Sequence, residues 1–314
     1  ISRMPRLWKL MYEVSDRRNM AEKPVRGIAP VERLLERLLR EWKPDAVVCT
    51  YMVYPYMLDS LASRTGRAVP YLTVVTDSFV INKSWLCSKS PLWAVTDPWT
   101  RAIMEEKGLP QDRLRVTGFP VNPVLGALAK EHPLSWKEGE PFRVLYFAQR
   151  SARHARAELA GMLDANPALH VTCILGRRFR RIYPRIRDLR ARYGRRLTVR
   201  GWTRRVPSYL AASHVVVGKA GGATVHEVLA AARPMLVNFL LPGQEEGNTR
   251  LLEKLGGGSH VPDARALASA LQEMMADGGA QWRRMHENLL RAGMTGGSGR
   301  IADLALKLAE EHTN

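Results

Sequence analysis

Short apolar, β-branched runs alternate with segments of helical period along nearly the whole chain. Strands are expected at Asp45–Thr50, Tyr71–Thr76, Leu92–Thr96, Phe142–Ala148, His170–Leu175, Leu197–Arg200, His214–Gly218 and Met235–Phe239. Between them the spacing becomes helical. In Val31–Trp42 the apolar positions are Val31, Leu34, Leu35, Leu38, Leu39 and Trp42, one face of a helix. Strands that are apolar throughout are those buried on both faces, so the pattern predicts parallel sheets with helices on each side. The fold class is α/β.

The alternation breaks once. Pro120, Pro123, Pro133 and Pro141 punctuate a polar stretch, Asn122–Pro141, that follows neither period. It reads as a linker, residues 124–140, between two doubly wound domains at 1–123 and 141–299. In open α/β sheets ligands sit beyond the carboxyl ends of the strands, so the cleft between the domains is the expected site. Only three or four strands precede the linker, and the first thirty residues place Trp8, Met11 and Tyr12 in a helix-like pattern without a strand. The first domain is therefore expected to need an upstream strand–loop–helix unit ahead of Ile1.

Two polar loops at neighbouring strand ends carry candidate chemistry. After His214–Gly218 comes Lys219-Ala220-Gly221-Gly222-Ala223-Thr224-Val225-His226-Glu227. Gly221 and Gly222 remove side chains where a backbone must approach a ligand, and Thr224 is placed to cap the helix that follows. The N–H groups of such a helix start, with the macrodipole behind them, form a diphosphate site, and Glu227 one turn in suits a ribose diol. The rival reading is structural: Thr224 and Glu227 as a capping box, the glycines as a tight turn. One βα unit later, Pro242-Gly243 turns the chain and Gln244, Glu245 and Asn248 open the next helix with groups suited to sugar hydroxyls. An ordinary polar helix start accounts for these three as well.

Composition narrows the class. The chain has 314 residues, enough for two domains with cores of their own, and 46% hydrophobic content fits a globular protein. Its three cysteines, Cys49, Cys87 and Cys173, share no close spacing, which argues for a reducing compartment and against a disulfide framework or a zinc site. No apolar run is long enough to cross a bilayer. The net charge of +18 favours an anionic partner, with an arginine-rich solvated surface as the alternative. The charge permits nucleic acid, but no motif or aromatic spacing supports it.

The run Gly218–Glu227 together with Pro242–Asn248 resembles the C-terminal donor domain of family 28 glycosyltransferases. Within that family the chain is most similar to the monogalactosyldiacylglycerol synthase and processive diacylglycerol glucosyltransferase branch. The likeness extends to Thr76-Asp77 with Trp85, to Arg115-Val116-Thr117-Gly118-Phe119-Pro120-Val121, to Gly176-Arg177 and to Val199-Arg200-Gly201-Trp202.

The resemblance implies the GT-B fold, two Rossmann-like domains facing a cleft. It assigns Lys219, Gly221, Gly222 and Thr224 to the diphosphate, Glu227 to the ribose, and the backbone around Gly201-Trp202 to uracil. Gln244, Glu245 and Asn248 fall to the hexose, with Gly176 and Arg177 also on the donor side. The last helix, residues 300–314, would cross back to the first domain. The implied reaction is inverting hexosyl transfer from UDP-galactose or UDP-glucose to diacylglycerol, without a metal or a tightly bound cofactor. The implied place is the cytoplasmic face of a membrane, docked on anionic lipid. Trp8, Met11, Tyr12, Met52, Tyr54, Tyr56 and Met57 would line the acceptor entrance or fill the core. Another lipid-linked acceptor, or UDP-sugar binding without turnover, stay open.

Departures from the family pattern bear on catalysis. A Gly-x-Gly-His loop is absent, and Asn82 stands where relatives carry histidine, five residues after Asp77. Gln149-Arg150-Ser151-Ala152-Arg153-His154 replaces a glycine-rich loop. Asp77 is the candidate base or orienting group, with a satisfied N-cap aspartate as the plain alternative.

Overall fold

The structure is a computed structural model that describes residues 29–131, 134–241 and 243–313. The first part runs α1 (Ala29–Trp42), β1 (Val47–Cys49), α2 (Val53–Thr65), β2 (Tyr71–Val74), β3 (Leu92–Val95), α3 (Pro98–Glu106) and β4 (Leu114–Val116). Its four strands pair in the order β1-β2-β3-β4, all parallel. Every residue of β2 is buried, Thr73 included, as in a strand covered on both faces.

A short helix, α4 (Val124–Glu131), follows, and then a second unit. Its elements are β5 (Phe142–Phe147), α5 (Ala152–Ala165), β6 (Leu169–Ile174), α6 (Phe179–Ile182), α7 (Arg187–Tyr193), β7 (Leu197–Arg200) and α8 (Val206–Ala212). The chain continues through β8 (Val215–Lys219), α9 (Gly222–Ala230), β9 (Met235–Phe239), α10 (Gln244–Lys254), β10 (Gly258–His260), α11 (Ala264–Met275), α12 (Ala280–Ala292) and α13 (Gly297–Thr313). Six parallel strands stand in the order β10-β9-β8-β5-β6-β7. Alternate strand residues serve opposite faces. Val144 and Tyr146 pack with Leu159 and Met162 of α5, whereas Leu145, Val216 and Val237 pack with Val225 and Val228 of α9. Among the described residues no helix is long and apolar enough to cross a membrane.

Three local expectations are corrected. The stretch Asn122–Pro141 is not without structure: Asn122 accepts the Val124 N–H at 3.1 Å and starts α4, whose Leu125 is fully buried. β4 and β10 were not expected, because each is three residues long and Gly258-Ser259-His260 has no apolar pattern. Neighbouring strands, rather than their own sequence, hold them.

The chain ends by returning to the first sheet. On α13, Ile301, Leu304 and Leu308 pack on Leu72, Val74 and Ala94. Arg300 Nε donates to Thr117 O at 2.7 Å, and Ser298 Oγ to Val121 O. A Cβ on Gly297 would stand 2.1 Å from Phe119 O, so only glycine lets α13 start there. Truncating the buried contact by Ile301→Ala is expected to cost about 2 kcal/mol or more. The check is a lower urea midpoint at unchanged slope.

Candidate functional site between the two sheets

β8 ends at Lys219, and Gly221 is the N-cap of α9, in extended backbone with no side-chain cap. The first intrahelical bond is Val225 N–H to Gly221 O at 2.9 Å. The N–H groups of Gly222, Ala223 and Thr224 therefore precede the helical ladder, and no acidic residue lies in this first turn. Thr224 sits inside the helix rather than capping it, so the capping-box reading falls. The helix begins three residues earlier, with Gly221 as its N-cap. What remains is an uncapped positive helix end at the carboxyl edge of a parallel sheet, a place suited to an anion.

Glu227 lies one turn along α9, partly buried, and burial raises its carboxyl above the ordinary value. The second polar loop comes to the same edge. Asn248 on α10 is fully buried and its Nδ2 donates to Ala220 O at 3.0 Å, tying α10 to the cradle loop. Among the described residues its Oδ1 is buried without a partner, an acceptor that a bound hydroxyl would satisfy. Glu245 does not face the site freely: its Oε1 pairs with Lys219 Nζ and its Oε2 accepts the Leu241 N–H at 2.7 Å. Lys219 and Glu245, assigned separately from sequence, thus hold each other. Gln244 opens α10, but its side chain lies outside the described residues, as do Trp8, Met11 and Tyr12.

Gly176 turns the chain after β6 with φ at 57°, and Arg177 is exposed beside it. Trp202 is 59% exposed, with the Arg204 guanidinium 5.6 Å from its ring centroid, and Gly201 packs on the Phe179 ring. Trp202 thus offers an open aromatic face. Met57 is buried in the core and Tyr54 is exposed.

The first sheet closes on this edge through its backbone. A Cβ on Gly222 would meet Thr76 O at 3.0 Å, and one on Gly247 would meet Ser78 O at 1.9 Å and Val80 N at 2.8 Å. His226, between the cradle and Glu227, is buried, stacks on Phe119 at 4.4 Å and bonds Ser78 Oγ at 3.2 Å. Burial pushes its imidazole down to about 3, so it is a neutral packing and hydrogen-bonding group, consistent with a helix-face role. Ser78 continues to Thr96 at 2.9 Å, and Thr96 to Asp97 at 2.6 Å. Asp77 is buried and accepts the Trp85 indole N–H at 2.7 Å. The turn that follows is capped by Asn82, whose Oδ1 takes the Ser84 N–H at 2.9 Å. Ser78 and Phe119 had no chemical signal of their own in the sequence, although Phe119 lay in a quoted motif. Among the described residues no group of histidine, cysteine and carboxylate side chains is arranged to hold a metal ion.

Comparison with known proteins places this geometry. Residues 1–121 match the family model of monogalactosyldiacylglycerol (MGDG) synthase, and residues 161–297 match that of the glycosyltransferase family 28 C-terminal domain. The chain belongs to this glycosyltransferase family. Among relatives, a processive diacylglycerol beta-glucosyltransferase of Bacillus subtilis is 24% identical over 285 residues, covering 89% of this chain and 73% of that protein. One of the same name from Staphylococcus carnosus is 25% identical over 252 residues, covering 79% of this chain and 63% of that one. The crystal structure of MurG from Acinetobacter baumannii superposes with a TM-score of 0.62 at 15% identity, over 86% of this chain and 76% of that one. At that identity the likeness concerns the fold, which is GT-B.

In a glycosyltransferase of this shape the approach of the two sheets is a condition of the site. Gly247→Ala adds a methyl group where Ser78 O already stands, and alanine is otherwise the better helix residue. The variant is expected to fold with its sheets held further apart, read as a larger radius of gyration by small-angle scattering. An unchanged radius would mean that the contact yields locally.

Proposed function

We propose that this glycosyltransferase moves a hexosyl group from UDP-glucose or UDP-galactose to the hydroxyl of diacylglycerol, with inversion, at the cytoplasmic face of a membrane. The observation that carries the donor half is the uncapped start of α9, three N–H groups at Gly222–Thr224 that are unspent among the described residues, with Glu227 one turn behind. In this reading Gly221, Gly222 and Thr224 receive the diphosphate, Lys219 supports them, and Glu227 takes the ribose diol. Gly201-Trp202 flanks uracil, Gly176-Arg177 closes the donor side, and Gln244, Glu245 and Asn248 face the hexose, with Asn248 Oδ1 as a waiting acceptor. Residues 141–299 form the donor domain, 1–123 with 300–314 the acceptor side, and 124–140 the connection.

The acceptor oxygen attacks the anomeric carbon and gives up its proton to a base, while the bond to the β-phosphate oxygen breaks and UDP leaves. Its developing charge falls on the helix start, where dipoles stabilise it without reorganisation. Curated relatives are named as beta-glucosyltransferases; a β product from an α-linked nucleotide sugar is inversion, and this favours UDP-glucose as the donor. Asp77, buried against Trp85, serves by orienting the acceptor-side loop. UDP-sugar binding without turnover is favoured by Asn82, an amide spent on a cap, which is no base. Docking on anionic lipid is supported by the arginines of 177–196. Arg181 and Arg185 line, with Arg153 and Arg156, a cavity of about 360 Å³.

Titration calorimetry with UDP tests the donor site. Binding is expected, and Glu227→Gln is expected to weaken it about tenfold or more, the weight of a charge-assisted pair of bonds. A chain that binds no UDP, or binds it equally well without Glu227, overturns the assignment.

The raised pKa of Glu227 sets the pH dependence. The ionised form accepts the diol, so affinity is held above the raised value and lost as pH falls through it, sooner than a carboxyl at 4.5 would titrate. For folding the sign is reversed. A carboxyl raised by burial favours the folded state below its unfolded value and loses that contribution as pH rises through the folded one. At neutral pH Glu227→Gln is therefore expected to melt no lower than the parent while its UDP affinity no longer depends on pH.

A further inference from the structure

We infer that Arg150 is a diphosphate-binding cation of the donor site, held in place by a buried carboxylate, Glu158, that acts as its positioning residue. This rests on the donor reading of the α9 cradle and names a group that reading left out.

Arg150 leaves the chain just beyond β5, in the segment that stands where relatives have a glycine-rich loop. Its Nη1 pairs with Glu158 Oε1 at 3.2 Å and lies 3.5 Å from Asn238 O, and its guanidinium carbon is 5.8 Å from the Phe239 ring centroid. Asn238 and Phe239 are on β9. Arg150 starts beyond β5 and reaches β9, and in the sheet order β9-β8-β5 the strand between them is β8, at its carboxyl end. That end is Lys219, where the cradle loop departs. Phe239, under the guanidinium, is the register partner of Lys219, and its carbonyl accepts the Ala220 N–H at 3.2 Å. The register shift between Gly218 and Lys219 lies at the same place.

Glu158 explains how the cation is held. It is 2% exposed, on the second turn of α5, and its carboxylate gathers three donors from three directions. These are Arg150, the Tyr146 hydroxyl on β5 and Asn238 Nδ2 on β9 at 2.8 Å. Burial raises Tyr146 well above its ordinary range, so the phenol stays a donor. A buried carboxylate with this many partners is costly to disturb and fixes what it holds.

Arg150 itself is not buried: 23% of its side chain is exposed. Nε and Nη2 donate to no protein group among the described residues. Lys219, a second cation at this edge, is occupied by Glu245. An arginine with unspent donors, stretched across the strand end that opens an anion cradle, matches the bidentate geometry of a phosphate oxygen pair. With the glycine-rich loop absent, a side-chain cation takes over what closer backbone approach would supply.

The experiment compares UDP with uridine, the latter measured by competition, in the parent and in Arg150→Ala, Arg150→Lys and the double variant Arg150→Gln/Glu158→Gln. The double variant removes both charges and keeps an amide network, so it tests the cation without leaving a buried carboxylate alone. UDP affinity is expected to fall about tenfold in Arg150→Ala and in the double variant, with uridine affinity unchanged and part of the loss recovered in Arg150→Lys. UDP affinity equal to the parent in a folded double variant overturns the proposal, and so does an equal loss for uridine. If Glu227→Gln still weakens UDP in that case, the donor site stands and only the role of Arg150 falls. If the parent binds no UDP, both fall together.

Discussion

The two sheets meet backbone to backbone, and the geometry of the site follows from that contact. Gly222 and Gly247 open neighbouring helices at the carboxyl edge of the six-stranded sheet, and each lies against the main chain of the segment from Thr76 to Val80. No side chain fits between them. The uncapped start of α9 is therefore placed directly opposite the strand ends of the other sheet, and His226 with Phe119 and Ser78 completes the seam. The return of α13 to β2 and β3 supplies a second attachment, so the two units are joined at both the seam and the chain's end.

Charge is distributed with the same economy at that edge. The chain is strongly basic, yet the cations nearest the cradle, Lys219 and Arg150, are each matched to a carboxylate on a following helix, Glu245 and Glu158. Such pairing holds a positive group at a fixed place in a partly dry environment, where it acts without reorganising when an anion arrives. The helix start of α9 is left without an acidic residue, and its positive end is not neutralised in advance.

What the sequence made legible was whatever depends on local pattern. β2, β5, β6, β8 and β9 are predominantly apolar because helices cover both faces, and they stood out for that reason. The glycine pair at 221–222 marked the start of α9, although Thr224 proved to be inside the helix rather than at its cap. Contacts between distant segments left no such trace. Ser78 and His226 are 148 positions apart, and neither has a motif that names the other. Glu158 stands in α5 with no motif around it. The available clue was Asn238, the single polar position in the otherwise apolar Met235–Phe239, since a buried amide in a central strand needs a partner. β10 was hidden because Gly258-Ser259-His260 carries no pattern and is held by its neighbour β9.

The central claim is that a nucleotide diphosphate is held where the uncapped start of α9 faces the Thr76–Val80 segment. A crystal structure of the chain with UDP tests this most directly. The account predicts phosphate oxygens within hydrogen-bond distance of the N–H groups of Gly222–Thr224 and the ribose hydroxyls on the Glu227 carboxylate. UDP bound elsewhere, or bound at this edge with Glu227 turned away from the ribose, would contradict it.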